Sequence, residues 1–204
     1  PSADLLYAPE QIDPGWFSQA FALHFCSVSL VDSPMRYAHL AAITAAREAG
    51  AILSFDPNLR FPLWPDREQL RQTVWQFLPL THILKLSDEE LPFLTGTEDI
   101  EAALPALFTG DVQLVLYTCG SSGAHAYTRT AHGFAPCRKV RAVDTTGAGD
   151  AFFAGTVIGL TYGKTLADAC EIGSRLAASV ICITENVCPR FRPLEFGLDV
   201  PVVD

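Results

Sequence analysis

The sequence predicts an α/β protein built on a parallel sheet with helices on both faces. Over residues 20–120, short apolar runs alternate with segments of helical pattern, the order that βαβ units produce. The polar, glycine-rich motifs fall where those strands should end, which is where open α/β sheets place their ligands. With 204 residues, 49% apolar and 18% charged, the chain can bury a substantial core, and one domain covering 1–204 is the expectation.

Each element has a local reason. Phe21 to Val31 is apolar and reads as a buried strand. Ser33-Pro34 opens a helix, with Ser at the N-cap and Pro at the first helical position, and Gly50 is its stop. Ala51 to Phe55 is the next strand, followed by a helix over about Asp66 to Leu78 and a strand over His82 to Leu86. Helices near 88–95 and 99–108 precede the strand Val112 to Thr118. Two β segments, 124–128 and 133–140, lead to a glycine-rich turn. The last third is helical, from Gly149 to about Tyr162 and from Leu166 to about Thr184. Repeats, low-complexity tracts and linkers are absent.

Composition excludes several function classes. A net charge of −9 without a basic cluster argues against a nucleic-acid surface. No run approaches the roughly 18 apolar residues of a membrane span. The six cysteines form no CxxC pair and lie mostly in apolar runs such as Val180-Ile181-Cys182-Ile183. They read as free, buried thiols of a cytoplasmic protein. The five histidines are scattered and carry no assigned chemistry. Pro1 rather than Met opens the chain, and the expectation is that an N-terminal portion is missing.

The most informative stretch is Val143-Asp144-Thr145-Thr146-Gly147-Ala148-Gly149-Asp150-Ala151-Phe152. Glycines at a helix start crowd backbone amides that attract phosphate oxygens, and Asp150 in the first turn can take a proton from an alcohol. The same residues also suit an ordinary capped helix, and on the bare pattern both readings stand.

The longer string, Asp-Thr-Thr-Gly-Ala-Gly-Asp-Ala-Phe followed by Ala-Gly, closely resembles the signature of the ribokinase-like (PfkB) sugar kinases. The resemblance implies that Asp150 is the base. It implies too that the amides of Gly147, Ala148 and Gly149 stabilise charge on the transferring phosphoryl group. Asp144 and Thr146 are cap residues or, by resemblance, part of a monovalent-cation site that a potassium ion would fill.

Three more motifs follow in family order. Phe55-Asp56-Pro57-Asn58-Leu59-Arg60 is an ordinary turn by its residues, since Asp and Asn bond locally and Pro fixes φ. With Leu63-Trp64-Pro65 after it, the segment resembles that of fructokinases and 2-keto-3-deoxygluconate kinases, which puts Asn58 and Arg60 near the sugar and transferred phosphate. Ser87 and Glu90 make a capping box. The family's Asn-x-x-Glu at this place implies Glu90 as an indirect magnesium ligand, with Ser87, in place of Asn as in the fructokinase-like branch, and Lys85 on the ATP side beside nucleotide phosphate. Thr118-Cys119-Gly120-Ser121-Ser122-Gly123 is a tight reversal between strands that also resembles the family's ATP-side loop, through Thr118, Gly120 and Gly123. Asn186, after the last helix, is placed near the adenine by position alone.

The resemblance therefore implies a ribokinase-like fold lacking its N-terminal portion and lid, the C-terminal two-thirds of a kinase domain. The implied reaction is ATP-dependent phosphorylation of a sugar hydroxyl with Mg²⁺ and K⁺, fructose first. 2-Keto-3-deoxygluconate kinase, or an impaired relative acting as a binding or structural partner, is the alternative. A homodimer is the family's frequent state, formed through the lid. A dinucleotide oxidoreductase is disfavoured, because no GxGxxG follows the first strand.

Overall fold

The computed structural model describes residues 3–184, 188 and 191–198. Strands and helices alternate as far as α3 and then fall into runs of one type: β1 Ala22–Cys26, α1 Pro34–Glu48, β2 Ile52–Asp56, α2 Arg67–Phe77, β3 Ile83–Ser87, α3 Glu90–Thr95, α4 Ile100–Leu107, β4 Leu114–Thr118, β5 Ala124–Tyr127, β6 His132–Ala135, α5 Ala148–Thr161 and α6 Leu166–Ile181. The six strands are ordered β1-β2-β3-β4-β5-β6 in a mixed sheet. β1, β2 and β3 run parallel, whereas β5 and β6 are antiparallel. The expected parallel sheet thus ends in a hairpin, because the four residues 128–131 between Tyr127 and His132 are too few for a crossover. By density of contact the chain divides into two compact units, Pro1–Val115 and Leu116–Asp204.

In the first unit, β2 and β3 are covered on both faces, and Leu53, Phe55, Leu84 and Leu86 are fully buried. That burial explains why these strands read as continuous apolar runs. β1 is shorter than the sequence predicts: after Cys26 the chain turns through a 3₁₀ helix at Ser27–Ser29. Ser27 is buried there and its hydroxyl donates to the Pro57 carbonyl, so a polar side chain inside an apolar run marks the strand end. α2 buries Leu70, Thr73, Val74 and Phe77, a spacing of one helical face, and the Asp66 carboxylate caps it by accepting the Gln69 N–H at 2.7 Å. α1 begins at Pro34 as expected, but Ser33 Oγ donates to the Val31 carbonyl and caps nothing.

In the second unit, β5 and β6 pair from Ala124↔Ala135 to Tyr127↔His132. β6 stops at Ala135, short of the expected 140. α5 and α6 pack at backbone contact: a Cβ on Gly155 would sit 2.9 Å from Gly173 Cα, and one on Gly159 would sit 2.9 Å from Ala169 Cα. Ile172, Leu176, Phe196 and Leu198 form a core cluster behind them.

No described helix is long and apolar enough to cross a membrane. All six cysteines are free thiols, but Cys137 and Cys182 are exposed rather than buried, being placed on loops that leave the core. Only Cys170 is fully enclosed, and burial pushes its thiol up to about 12.

Candidate active site

The first unit gathers its candidate residues at one end of the sheet. Because β2 and β3 are parallel, their carboxyl ends, Asp56 and Ser87, finish on the same edge. From Asp56 the chain enters the Asp-Pro-Asn turn. Asp56 Oδ1 accepts the Asn58 N–H at 3.0 Å, which closes an Asx turn and leaves Asn58 left-handed at φ 43°. Asn tolerates that conformation better than most side chains, so the residue type matches the backbone need.

The other Asp56 oxygen accepts from Lys85 Nζ at 2.8 Å. Both side chains are buried, Asp56 3% and Lys85 7% exposed. Burial pushes the Asp56 carboxyl up to about 6, against the pull of Lys85 and with a further push from Glu90. Desolvation outweighs the ion pair here because the pair is almost wholly removed from water.

Glu90, itself 8% exposed, completes the cluster. Oε2 accepts the Ser87 N–H at 2.8 Å, and the Glu90 N–H points back to Ser87 Oγ at 3.3 Å, the expected capping box. Oε1 accepts the Leu59 N–H at 3.1 Å, so one carboxylate ties the β3 end to the turn after β2. Arg60 follows on the exposed side, its guanidinium donating to the Leu59 carbonyl at 3.3 Å. Each carboxylate oxygen keeps a second lone pair beside its backbone bond, so Glu90 fits a magnesium ion held through water with both backbone bonds intact.

In the second unit the glycine-rich turn opens α5. Asp144 Oδ1 accepts the Thr146 N–H at 2.9 Å, and hydrogen bonds from the Thr146 backbone and side chain hold the Asp144 carboxyl below its ordinary range. An ionised carboxylate beside a threonine suits a hard monovalent cation, so the potassium expectation fits the donors present. Gly147 occupies the N-cap at φ 79°, a left-handed conformation that disfavours any side chain. It also has no side chain to cap with. The Ala148 N–H donates to the Thr145 carbonyl at 3.2 Å, while the amides of Gly147, Gly149 and Asp150 find no acceptor among the described residues. Asp150 stands exposed in the first turn. Open amides with a carboxylate among them can hold an anion and take a proton from a neighbouring alcohol.

Thr118 ends β4, and a 3₁₀ turn at Gly120–Ser122 carries the chain into β5. Gly123 is required by the reversal itself: it sits at φ 106°, and a Cβ there would lie 2.5 Å from the Ala135 carbonyl oxygen. Asn186 lies outside the described residues.

Comparison with known proteins places the chain in a family. The model of the pfkB family of carbohydrate kinases matches residues 1–185. The chain belongs to that family. It is similar to fructokinase-1 of Zea mays, 44% identical over 153 residues, 74% of this chain and 47% of the relative. Among solved structures, a fructokinase of Vibrio cholerae O395 bound to fructose, ADP and calcium matches with TM-score 0.79 and 35% identity, over 92% of this chain and 62% of the other. A fructokinase of Xylella fastidiosa with bound ATP matches with TM-score 0.79 and 34% identity, over 90% and 62%. The pfkB chain spans about half the length of the curated relatives it matches.

Two residues of this pfkB chain carry more than their sequence context showed. Asp56 reads as a turn residue, yet it is the buried partner of Lys85. Ser27 reads as part of a strand, yet it anchors the Pro57 carbonyl. The available signal was Lys85 itself, a charge inside Ile83-Leu84-Lys85-Leu86 that a buried strand tolerates only beside an opposite charge.

Proposed function

We propose that the protein containing this chain phosphorylates a sugar hydroxyl at the expense of ATP, with fructose as the first-choice acceptor. The observation that carries the reading is the open amide turn with Asp150 in its first helical turn, inside a chain of the pfkB family.

In this mechanism the acceptor hydroxyl oxygen attacks the γ-phosphorus while the bond to the bridging β-γ oxygen breaks, and the hydroxyl proton passes to Asp150. The amides of Gly147 and Gly149 stabilise the charge on the equatorial oxygens, and Ala148 contributes as its bond to Thr145 loosens. Catalysis of this kind is positioning plus electrostatic stabilisation. Arg60 supplies further positive charge, and Asn58 orients the sugar. Magnesium, when bound, neutralises the triphosphate. Glu90 would hold it through water, with Ser87 on the ATP side, while Asp144 and Thr146 would hold potassium beside the turn. Thr118, Gly120 and Gly123 form the nucleotide-side loop, and Asn186 is assigned to the adenine end.

The test is ADP release in the presence of Mg·ATP and a panel of sugars. Fructose-dependent ADP release supports the reading, and a preference for 2-keto-3-deoxygluconate replaces the acceptor but keeps the chemistry. Binding of Mg·ATP with no sugar-dependent turnover moves the chain to a binding role.

A further inference from the structure

The turn that carries Asn58 and Arg60 is held from inside by charged groups that have little exposure to any ligand. Three backbone groups of the turn are anchored: the Pro57 carbonyl by Ser27 Oγ, the Asn58 N–H by Asp56 Oδ1 and the Leu59 N–H by Glu90 Oε1. Lys85 Nζ lies on the second oxygen of Asp56, and Glu90 is locked to the β3 end by its two bonds with Ser87. Asp56, Lys85 and Glu90 are each at least nine-tenths buried.

We propose that Asp56, Lys85 and Glu90 form one buried positioning unit that fixes the Asn58–Arg60 turn for the phosphoryl acceptor, so that Lys85 serves the sugar side of the reaction and not the nucleotide. The proposal rests on the kinase reading above for the identity of the acceptor. Its physical basis is that a left-handed Asn58 persists only while its surroundings hold it. The carboxylate that closes the Asx turn keeps its orientation because Lys85 holds its other oxygen. Removing Lys85 alone strands a buried carboxylate, which must either take up a proton or turn away toward water. Turning away breaks the bond to the Asn58 N–H, and protonation replaces a charge-assisted bond with the weaker acceptor of a neutral acid. Removing both charges while keeping an acceptor at position 56 leaves the turn closed.

Three forms of the full chain test this: wild type, Lys85→Met and the double variant Asp56→Asn/Lys85→Met. Backbone amide exchange is followed over residues 56–60. Fructose and Mg·ADP affinities are measured by calorimetry, and KM values for fructose and ATP by ADP release. In Lys85→Met, exchange over the turn is expected to accelerate and fructose affinity to fall about tenfold or more, with Mg·ADP affinity within about twofold of wild type. The double variant is expected to recover slow exchange and most of the fructose affinity, and it remains a usable reference if Lys85→Met does not fold. Unchanged exchange in Lys85→Met overturns the proposal. So does a loss of Mg·ADP affinity in both variants with fructose affinity intact, the signature of a nucleotide contact. If wild type binds neither ligand, the kinase reading fails by itself, while the exchange comparison still decides whether the buried pair holds the turn.

Discussion

Asp150 is exposed on the first turn of α5 beside amides that have no acceptor among the described residues, so its side chain can be changed without disturbing packing. Asp150→Asn is expected to lower sugar-dependent ADP release by at least about 100-fold, the scale of a lost general base. The melting temperature and Mg·ATP affinity are expected to stay at wild-type values. Turnover within a few-fold of wild type assigns the proton to another group. Asp56 is the opposite case, a carboxylate inside the fold. Its carboxyl is raised from 3.8 to about 6, so between those values the folded chain holds a proton that the unfolded chain has released. The contribution of Asp56 to stability is therefore greatest at the acid end and falls as pH rises to about 6. Urea unfolding of wild type and Asp56→Asn should show the wild-type advantage shrinking over that interval. An advantage that grows with pH means that Lys85 outweighs burial and lowers the carboxyl instead.

At the scale of elements, two glycine-dependent features separate structure from chemistry. Gly155 and Gly173 let α5 and α6 approach at backbone distance, where an added Cβ would meet Gly173 Cα at 2.9 Å. Gly155→Ala should destabilise the chain by about 1–3 kcal/mol despite alanine's better helix propensity, as read from denaturant midpoints. Gly147→Ala acts on the turn instead: forcing a side chain into φ 79° costs about 1–2 kcal/mol locally and is expected to weaken Mg·ATP binding more than global stability. Isothermal titration beside thermal unfolding separates the two effects. Helix positions were legible from the chain because their signals are local. Pro34, Asp66 and the Ser87–Glu90 box mark starts, and the 3.6-residue spacing of Leu70, Thr73, Val74 and Phe77 marks a buried face. The end of β1 was not, since Ser27 stops the strand by bonding a carbonyl 30 residues away.

Across the whole molecule, the six free cysteines offer a map of burial that needs no ligand. Cys137 and Cys182 are exposed, while Cys170 is enclosed with its thiol pushed up to about 12. A thiol reagent at neutral pH should modify Cys137 and Cys182 in the native chain and reach Cys170 only on unfolding, as peptide mapping by mass spectrometry will show. Rapid native modification of Cys170 contradicts the packing of α6. By itself the sequence determined the order of strands and helices, the family and the four motifs. Each of these is written in neighbouring residues: hydrophobic period, caps, glycines and a long contiguous signature. Only the tertiary structure decided that Lys85 turns inward to Asp56, that Glu90 joins the β3 end to the turn after β2, and which cysteines reach water. These depend on groups about 30 residues apart meeting at one edge of a parallel sheet. No local pattern encodes that meeting, because pairing register and burial are set by the packed fold.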